Sequence, residues 1–385
     1  MNPEGGLLID LVLADDGLHC DIRSNRPLAA AQVFSGKPLD EVLTSLPMLF
    51  SICARAHSAT LVAAMESARG DEVDKTVAAQ RQALVLLETL REQVLRIFLD
   101  WPLSLEEMGA RQMPATLMQH VQTLMAQMHP TVLVSLQPKP QSLVSEARSQ
   151  WQLLRQFLDD ALFCAPAEAW LQQLDASPDA LRQWAAGCDT VAGRFLFWLA
   201  AQAWSLAGNA SLAATVVPAD AVLASKMEDD DFIAKPEGGE GSVEVSWFSR
   251  VRSQPLVAAL IAEQGSGIYT RSAARLVAIA ELIRQLEAFF AGDDGPPGIS
   301  SDVPGLAHTE AARGRLTHKV ELNGGRLEKL RILAPTEWNF HPQGVAAQGL
   351  CQLQPGDEAS LRQQAQLLIH AIDPCVGYTL NIQRP

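Results

Sequence analysis

A chain of 385 residues with 48% hydrophobic side chains can bury a substantial core, as one large unit with appendages or as two or three domains. Its formal net charge of −14 and pI near 5.0 exclude a nucleic-acid backbone or an anionic membrane surface as the natural partner, and fit basic protein partners instead. Six cysteines without a C-x-x-C pair exclude a disulfide framework.

The N-terminal residues Asn2-Pro3-Glu4-Gly5-Gly6 carry no charged-then-apolar export signal. Residues 7–13 and 18–23 flank Asp15-Asp16-Gly17 and predict a two-stranded hairpin. After Gly36-Lys37-Pro38 the pattern predicts a helix over 39–46, stopped by Pro47. The next helix leaves Phe50-Ser51-Ile52-Cys53, continues to about Ala68 and closes at Gly70; Cys53 and His57, four apart, share a helix face. Helices are then expected over 77–99, 143–163, 166–174, 178–186 and 190–208, with 130–140 as an extended, proline-bounded interruption. The run 191–208 is the most apolar, but Arg194, Gln202 and Ser205 make it a buried helix rather than a membrane span, so the cytoplasm is the expected compartment.

Acidic residues 228–231 and the Gly-rich segment to 241 read as an exposed, solvated loop within 226–242, not a metal site. A long helix is expected over 270–291, closed by Gly292 and Pro296-Pro297, and another over 356–372 with Glu358 near its start. Between them lies a hairpin. Residues 315–322 place Leu316, His318, Val320 and Leu322 on one face and Arg315, Thr317, Lys319 and Glu321 on the other. Asn323-Gly324-Gly325 supplies the turn, and a return strand follows over 327–333. Arg313-Gly314 and Pro335-Thr336 would then sit side by side at the open end, a guanidinium beside a hydroxyl, which suits an anionic or polar ligand. There is no fixed-period repeat and no glycine-rich phosphate loop.

The stretch 309–344 resembles the penultimate signature of nickel–iron hydrogenase large subunits, where an E-A-P-R-G loop, a hairpin and a P-T-x-W-N loop surround an iron. Glu310-Ala311-Ala312-Arg313-Gly314 departs only at Ala312, and Ala334-Pro335-Thr336-Glu337-Trp338-Asn339 matches. Cys53, His57 and Glu66 map onto the second cysteine, the histidine and the downstream glutamate of the family's first motif, with Phe50 at its first cysteine. Trp247-Phe248 and Pro255-Leu256 resemble further family stretches, although Ala258 replaces a terminal arginine. Asp373-Pro374-Cys375 opens the pattern D-P-C-x-x-C-x-x-H, with Tyr378 at the second cysteine and Asn381 at the histidine. The sequence ends at Pro385, without the extension that catalytic large subunits lose after nickel insertion. The likeness spans residues 7–66, 243–292 and 305–381, and the helical middle only in character.

A nickel–iron centre needs four thiolates, and this pattern keeps Cys53 and Cys375 alone, while Arg313, Pro335 and Thr336 keep the loops that face the iron's cyanides in that family. The resemblance therefore narrows to hydrogenase expression/formation proteins of the HupK/HoxV type, which are shortened and degenerate large subunits. It implies a mainly α fold with small β hairpins: a hairpin and lead-in over 1–50, a helical core over 51–292, and a hairpin with the Asp-Pro-Cys segment over 293–385, all in one large-subunit-like unit. It also implies a non-catalytic maturation scaffold or chaperone that holds an iron dicyano-carbonyl unit transiently and takes no nickel. Its partners would be a HypC-type chaperone and a hydrogenase large-subunit precursor. Two other readings stay open. A catalytic or residual large subunit is opposed by Phe50 and Tyr378; a metal-free relative of the complex I quinone-site subunit is opposed by the two cysteines and the Arg313/Thr336 loops.

Single residues keep local readings beside these. Cys53 is ligand or core, and His57 a hydrogen-bond partner of a ligand more than a ligand. His318 faces inward, and Arg313 faces the ligand rather than pairing with Glu310 or Glu337. As a cation, Arg313 is expected to favour thiolate over thiol. By family mapping Cys53 stands at a bridging position and Cys375 at a nickel-only one, so an iron held by both needs a shifted position or a third ligand. The rings of Phe50 and Tyr378 either exclude nickel or fill vacated volume.

Overall fold

In a computed structural model that describes residues 5–107, 112–142, 145–202, 204, 206–211, 216–238, 243–292, 301–354 and 356–383, the stretches flanking Asp15-Asp16-Gly17 form the expected hairpin. Strands Leu7–Ala14 (β1) and Gly17–Ser24 (β2) pair antiparallel around Asp15-Asp16, burying Leu7, Ile9 and Leu11. Helix α1 spans Leu39–Leu49 with Pro47 inside it. The proline does not stop the helix, because so near the end it forfeits little beyond its own missing N–H, and the Phe50 N–H still reaches Leu46 O. Helix α2, Ala54–Arg69, closes on Gly70 at φ 71°, a left-handed cap that suits glycine.

Helix α3, Lys75–Ser104, begins at the Asp74 cap and outruns the expected 77–99 at both ends. Helix α4, Gln112–Gln127, was not anticipated; the helical spacing of buried Leu117, Val121 and Leu124 is set among polar residues that disguise it. Residues 130–133 are not extended. Pro130–Leu133 forms a 3-10 turn, and this segment's Val132 and Ser135 carbonyls accept from buried Arg81. Helix α5 covers Ser145–Leu158 and runs into a π turn to Phe163; its expected start at 143 lies outside the described residues.

Helices α6 (Ala167–Leu174), α7 (Pro178–Gly187) and α8 (Val191–Ala201) follow. The last is shorter than 190–208, since Gln202 turns extended; residues 203 and 205 lie outside the described residues. Short helices α9 (Asp220–Lys226) and α10 (Asp230–Ala234) occupy the acidic segment. That segment is no free solvated loop. Glu228 pairs with Lys319 and Lys329, and Asp230 with Arg331, although residues 239–242 lie outside the described residues. Helices α11 (Trp247–Val251) and α12 (Pro255–Gln264) lead to α13, Ile268–Ala291, which is buried along most of its length. Gly292 caps α13 at φ 92°, and Pro296-Pro297 lies outside the described residues.

The C-terminal part builds a second antiparallel sheet, β3 (Leu306–Ala311), β4 (Gly314–Asn323) and β5 (Arg326–Leu333), in that order. Then come α14 (Pro335–Asn339), α15 (Val345–Cys351), α16 (Glu358–Ile372) and β6 (Tyr378–Gln383). Strand β6 runs parallel to β1, with Leu7 opposite Tyr378, so the N-terminal hairpin is two strands of a three-stranded sheet. One hydrophobic cluster runs through Leu7, Leu87, Leu276 and Val376. No helix among the described residues is long and apolar enough to cross a membrane.

Candidate functional site

Five chain segments converge on one cavity of about 240 Å³. Cys53 is the residue just before α2, where the chain has left α1 and not yet become helical. Arg313 sits in the tight turn from β3 to β4. The next residue must be glycine: Gly314 has φ 129°, and a Cβ there would meet Val245 O at 2.0 Å. Asn339 ties the same turn down, donating to Arg313 O at 3.2 Å while accepting from the Val245 N–H at 3.0 Å. That is what the asparagine of the Pro-Thr-Glu-Trp-Asn segment does here. Cys375 follows α16, whose cap Asp373 takes a left-handed φ of 69°.

Cys53, Cys375, His57, Phe50, Arg313 and Pro335 all line this cavity, as the sequence reading expected of a shared site. Arg313 is fully buried, and its Nη1 lies 3.6 Å from the Cys53 sulfur. The rest of its guanidinium is engaged with Glu92 at 3.4 Å, Asp373 at 3.3 Å and Pro374 O at 3.2 Å. It pairs with neither Glu310, which holds Arg315, nor Glu337, which holds Arg26. Burial opposes the Arg313 charge, but Asp373, the Cys53 sulfur and Glu92 outweigh it and hold the guanidinium above its ordinary range.

Arg313 does favour the Cys53 thiolate, but it does not outweigh burial. Burial pushes the Cys53 thiol up to about 12, and Arg313 only partly offsets it. A metal bound to this sulfur would have to displace that proton. His57 reaches His318 through Nδ1···Nε2 at 3.0 Å, with Phe50 stacked on it at 4.3 Å between ring centres. His318 is not a fully satisfied inward histidine, since its Nδ1 is buried without a partner.

Other expected residues lie elsewhere. Thr336 does not line the cavity; its hydroxyl is 2.9 Å from the Cys375 sulfur and accepts the Cys375 N–H at 3.2 Å, so it holds the second thiol in place. Glu66 forms a buried pair with Arg81 at 2.5 and 2.9 Å and accepts the Gln137 N–H, which fastens α2 to α3 away from the cavity. Tyr378 turns its hydroxyl to His370 Nε2 at 2.9 Å, and Asn381 donates to Asp10 at 2.7 Å on the β6–β1 seam. Neither is among the residues that line the cavity. Of the two rings, Phe50 alone occupies the cavity wall.

Three residues escaped the sequence reading. Glu88 on α3 accepts the N–H groups of Arg55 at 2.9 Å and Ala56 at 3.0 Å, capping α2 from outside the helix; burial pushes its carboxyl up to about 7 against those bonds. Glu92, one turn on, faces Arg313. Arg26, in the loop after β2, lines the cavity beside Glu337. Its only local signal is Ser24-Asn25-Arg26-Pro27, which reads as an exposed turn.

Among the described residues no group of three or more His, Cys, Asp and Glu side chains is disposed to hold a metal ion. Two thiols with cationic and hydrogen-bond donors near them cannot satisfy a bare soft metal that wants four protein ligands. They do fit a metal that arrives carrying ligands of its own.

No family model matches the chain. Over 388 residues it is 31% identical to the hydrogenase expression/formation protein HoxV of Cupriavidus necator, spanning 94% of this chain and 92% of that protein. The chain belongs to the hydrogenase expression/formation proteins. A second member of that family, HupK of Bradyrhizobium diazoefficiens, is 29% identical over 381 residues, covering 94% of this chain and 91% of its own. The fold of this expression/formation protein is that of a hydrogenase large subunit: the Ni-Fe-Se hydrogenase of D. vulgaris Hildenborough superposes with TM-score 0.59 over 94% of each chain, at 14% identity.

Proposed function

We propose that this expression/formation protein acts in hydrogenase formation as a non-catalytic scaffold, with Cys53 and Cys375 holding an iron dicyano-carbonyl unit as transient cargo. The observation that carries this reading is the convergence of two distant thiols and the Arg313 guanidinium on one cavity. The cargo supplies cyanide and carbonyl ligands, so two sulfurs suffice as anchors. A working nickel–iron centre would need two more thiolates, and their positions hold Phe50 and Tyr378.

The chain's residues have distinct parts in such a hold. The Cys53 thiol gives up its proton on loading, and the adjacent Arg313 stabilises the thiolate that results. Thr336 fixes the Cys375 sulfur by two contacts. Three side chains that line the cavity, Leu28, Met48 and Ile52, are also exposed apolar groups, with Met48 at 82% exposure. Such an apolar rim suits docking of a small protein that brings the unit, of the HypC-type chaperone class, and then of a large-subunit precursor that takes it. This traffic belongs in the cytoplasm.

The test is infrared spectroscopy with metal analysis on protein purified anaerobically from its native host. Cyanide and carbonyl stretching bands with iron and without nickel are expected, and are lost in Cys53→Ser and Cys375→Ser. Protein free of these bands, or carrying nickel in proportion to iron, overturns the scaffold reading.

A further inference from the structure

The two guanidinium groups in the cavity wall differ in how much of each is spoken for. Arg313 already bonds Glu92, the Pro374 carbonyl and the Cys53 sulfur, and it faces the Glu92 and Asp373 carboxylates, which it shares with Arg91 and Arg96. Among the described residues the Arg26 guanidinium has a single hydrogen-bond partner, Glu337, which it reaches through Nη1. Its Nε is buried without any partner, a costly state for an N–H donor. Glu337 repeats the pattern: Oε1 takes the Arg26 bond and Oε2 is buried without a donor.

Arg26 also has room. Arg26, Leu28 and Glu337 line both the thiol cavity and a second cavity of about 460 Å³, so the ion pair stands as a partition between two open spaces. Burial opposes the Arg26 charge, but Glu337 and both cavity cysteines outweigh it and hold the guanidinium above its ordinary range.

Two thiolates and two cyanides outweigh a ferrous ion by two negative charges. Arg313, whose Nε, Nη1 and Nη2 all already donate, has few hydrogen-bond donors left for them. A hydrogen-bond-accepting anion on a metal in this cavity therefore needs another donor.

We propose that Arg26 is a further cargo-binding residue, which donates to the cyanide end of the iron unit, and that Glu337 is the positioning residue that aims it. This rests on the scaffold reading above and adds a contact that the loop signature Arg313/Thr336 does not contain.

The experiment compares full-length parent, Arg26→Gln, Arg26→Lys and the double variant Arg26→Gln/Glu337→Gln, each purified anaerobically from the native host. Iron content and infrared spectra are the readouts. The double variant removes the unpaired buried carboxylate that could unfold the single one. Loss of a charge-assisted hydrogen bond should lower iron occupancy about tenfold in Arg26→Gln and in the double variant. In the residual loaded protein one cyanide band should shift while the other stays. Arg26→Lys should retain intermediate occupancy, because charge is kept and the planar fork is lost. Parent-like iron and superimposable cyanide bands in the double variant overturn the role of Arg26 alone. Reduced iron with unmoved bands also overturns it, since that marks a merely structural residue. A parent without cyanide bands overturns the scaffold reading itself, and this inference with it.

Discussion

The Thr336 hydroxyl sits 2.9 Å from the Cys375 sulfur and also accepts the Cys375 backbone N–H at 3.2 Å, so one oxygen fixes both ends of the residue. Thr336→Val keeps the shape and removes both contacts, leaving that N–H unpaired. The expected cost is about 1–2 kcal/mol, read from the urea midpoint, together with weaker iron retention. Thr336→Ser should restore both. A valine variant as stable and as iron-rich as the parent would refute the assignment.

Arg313 joins α3, through Glu92, to the cap of α16, through Asp373. Arg313→Lys keeps a charge but cannot span both partners, so a loss of about 1–3 kcal/mol in chemical denaturation is expected. Cyanide-stretch intensity should fall with it. Equal intensity in variant and parent counts against a role in holding the cargo.

The two aromatic replacements should behave differently, because only Phe50 stands in the cavity wall. Phe50→Cys adds a third thiol beside Cys53 and Cys375 and should raise uptake of nickel or zinc, measured by metal analysis after equal exposure. Tyr378→Cys should not, since its side chain is turned to His370. Equal uptake by both single variants would return Tyr378 to the site.

Glu66→Gln tests the separation of structure from site. It leaves Arg81, 3% exposed, without its countercharge, which should cost about 3–5 kcal/mol. Iron per folded molecule should be unchanged. A specific loss of iron without loss of stability would place Glu66 back among the cargo's neighbours.

Acid sensitivity follows from the histidine pair. Burial lowers His318 to about 3, and burial first, then His318, holds His57 well below the ordinary histidine value of 6.5. Both must stay neutral in the fold and take up protons on unfolding. Stability is therefore full above pH 6.5 and falls as pH drops from 6.5 towards 3, by up to ~1.4 kcal/mol per pH unit for each ring. Denaturation midpoints between pH 7 and pH 5 should show this slope in the parent, and His318→Gln should flatten it. A slope unchanged by that substitution would mean that other groups set the acid limit.

The local patterns were legible in the sequence because each rests on neighbours along the chain. The Asp15-Asp16-Gly17 turn marked β1 and β2, alternation marked β4, Gly70 closed α2, and the stretch over 270–291 closed by Gly292 became α13. The signature loops were legible too, and with them Cys53, His57, Arg313 and Cys375 as the convergent set. Side-chain direction was not. Thr336 serves a thiol instead of the cavity, Glu66 serves Arg81, and Tyr378 serves His370, each decided by a partner that only packing brings near. The Cys53 proton shows the same division. Its motif neighbours suggested a thiolate, yet desolvation by the surrounding helices outweighs one nearby cation. Arg26 belongs wholly to the tertiary structure: as a turn residue in the chain it reads as solvated, and only the partner Glu337, far along the sequence, draws it into the cavity wall with a donor to spare. Residue type and short-range spacing determined what chemistry was available; burial and long-range pairing determined which groups are free to use it.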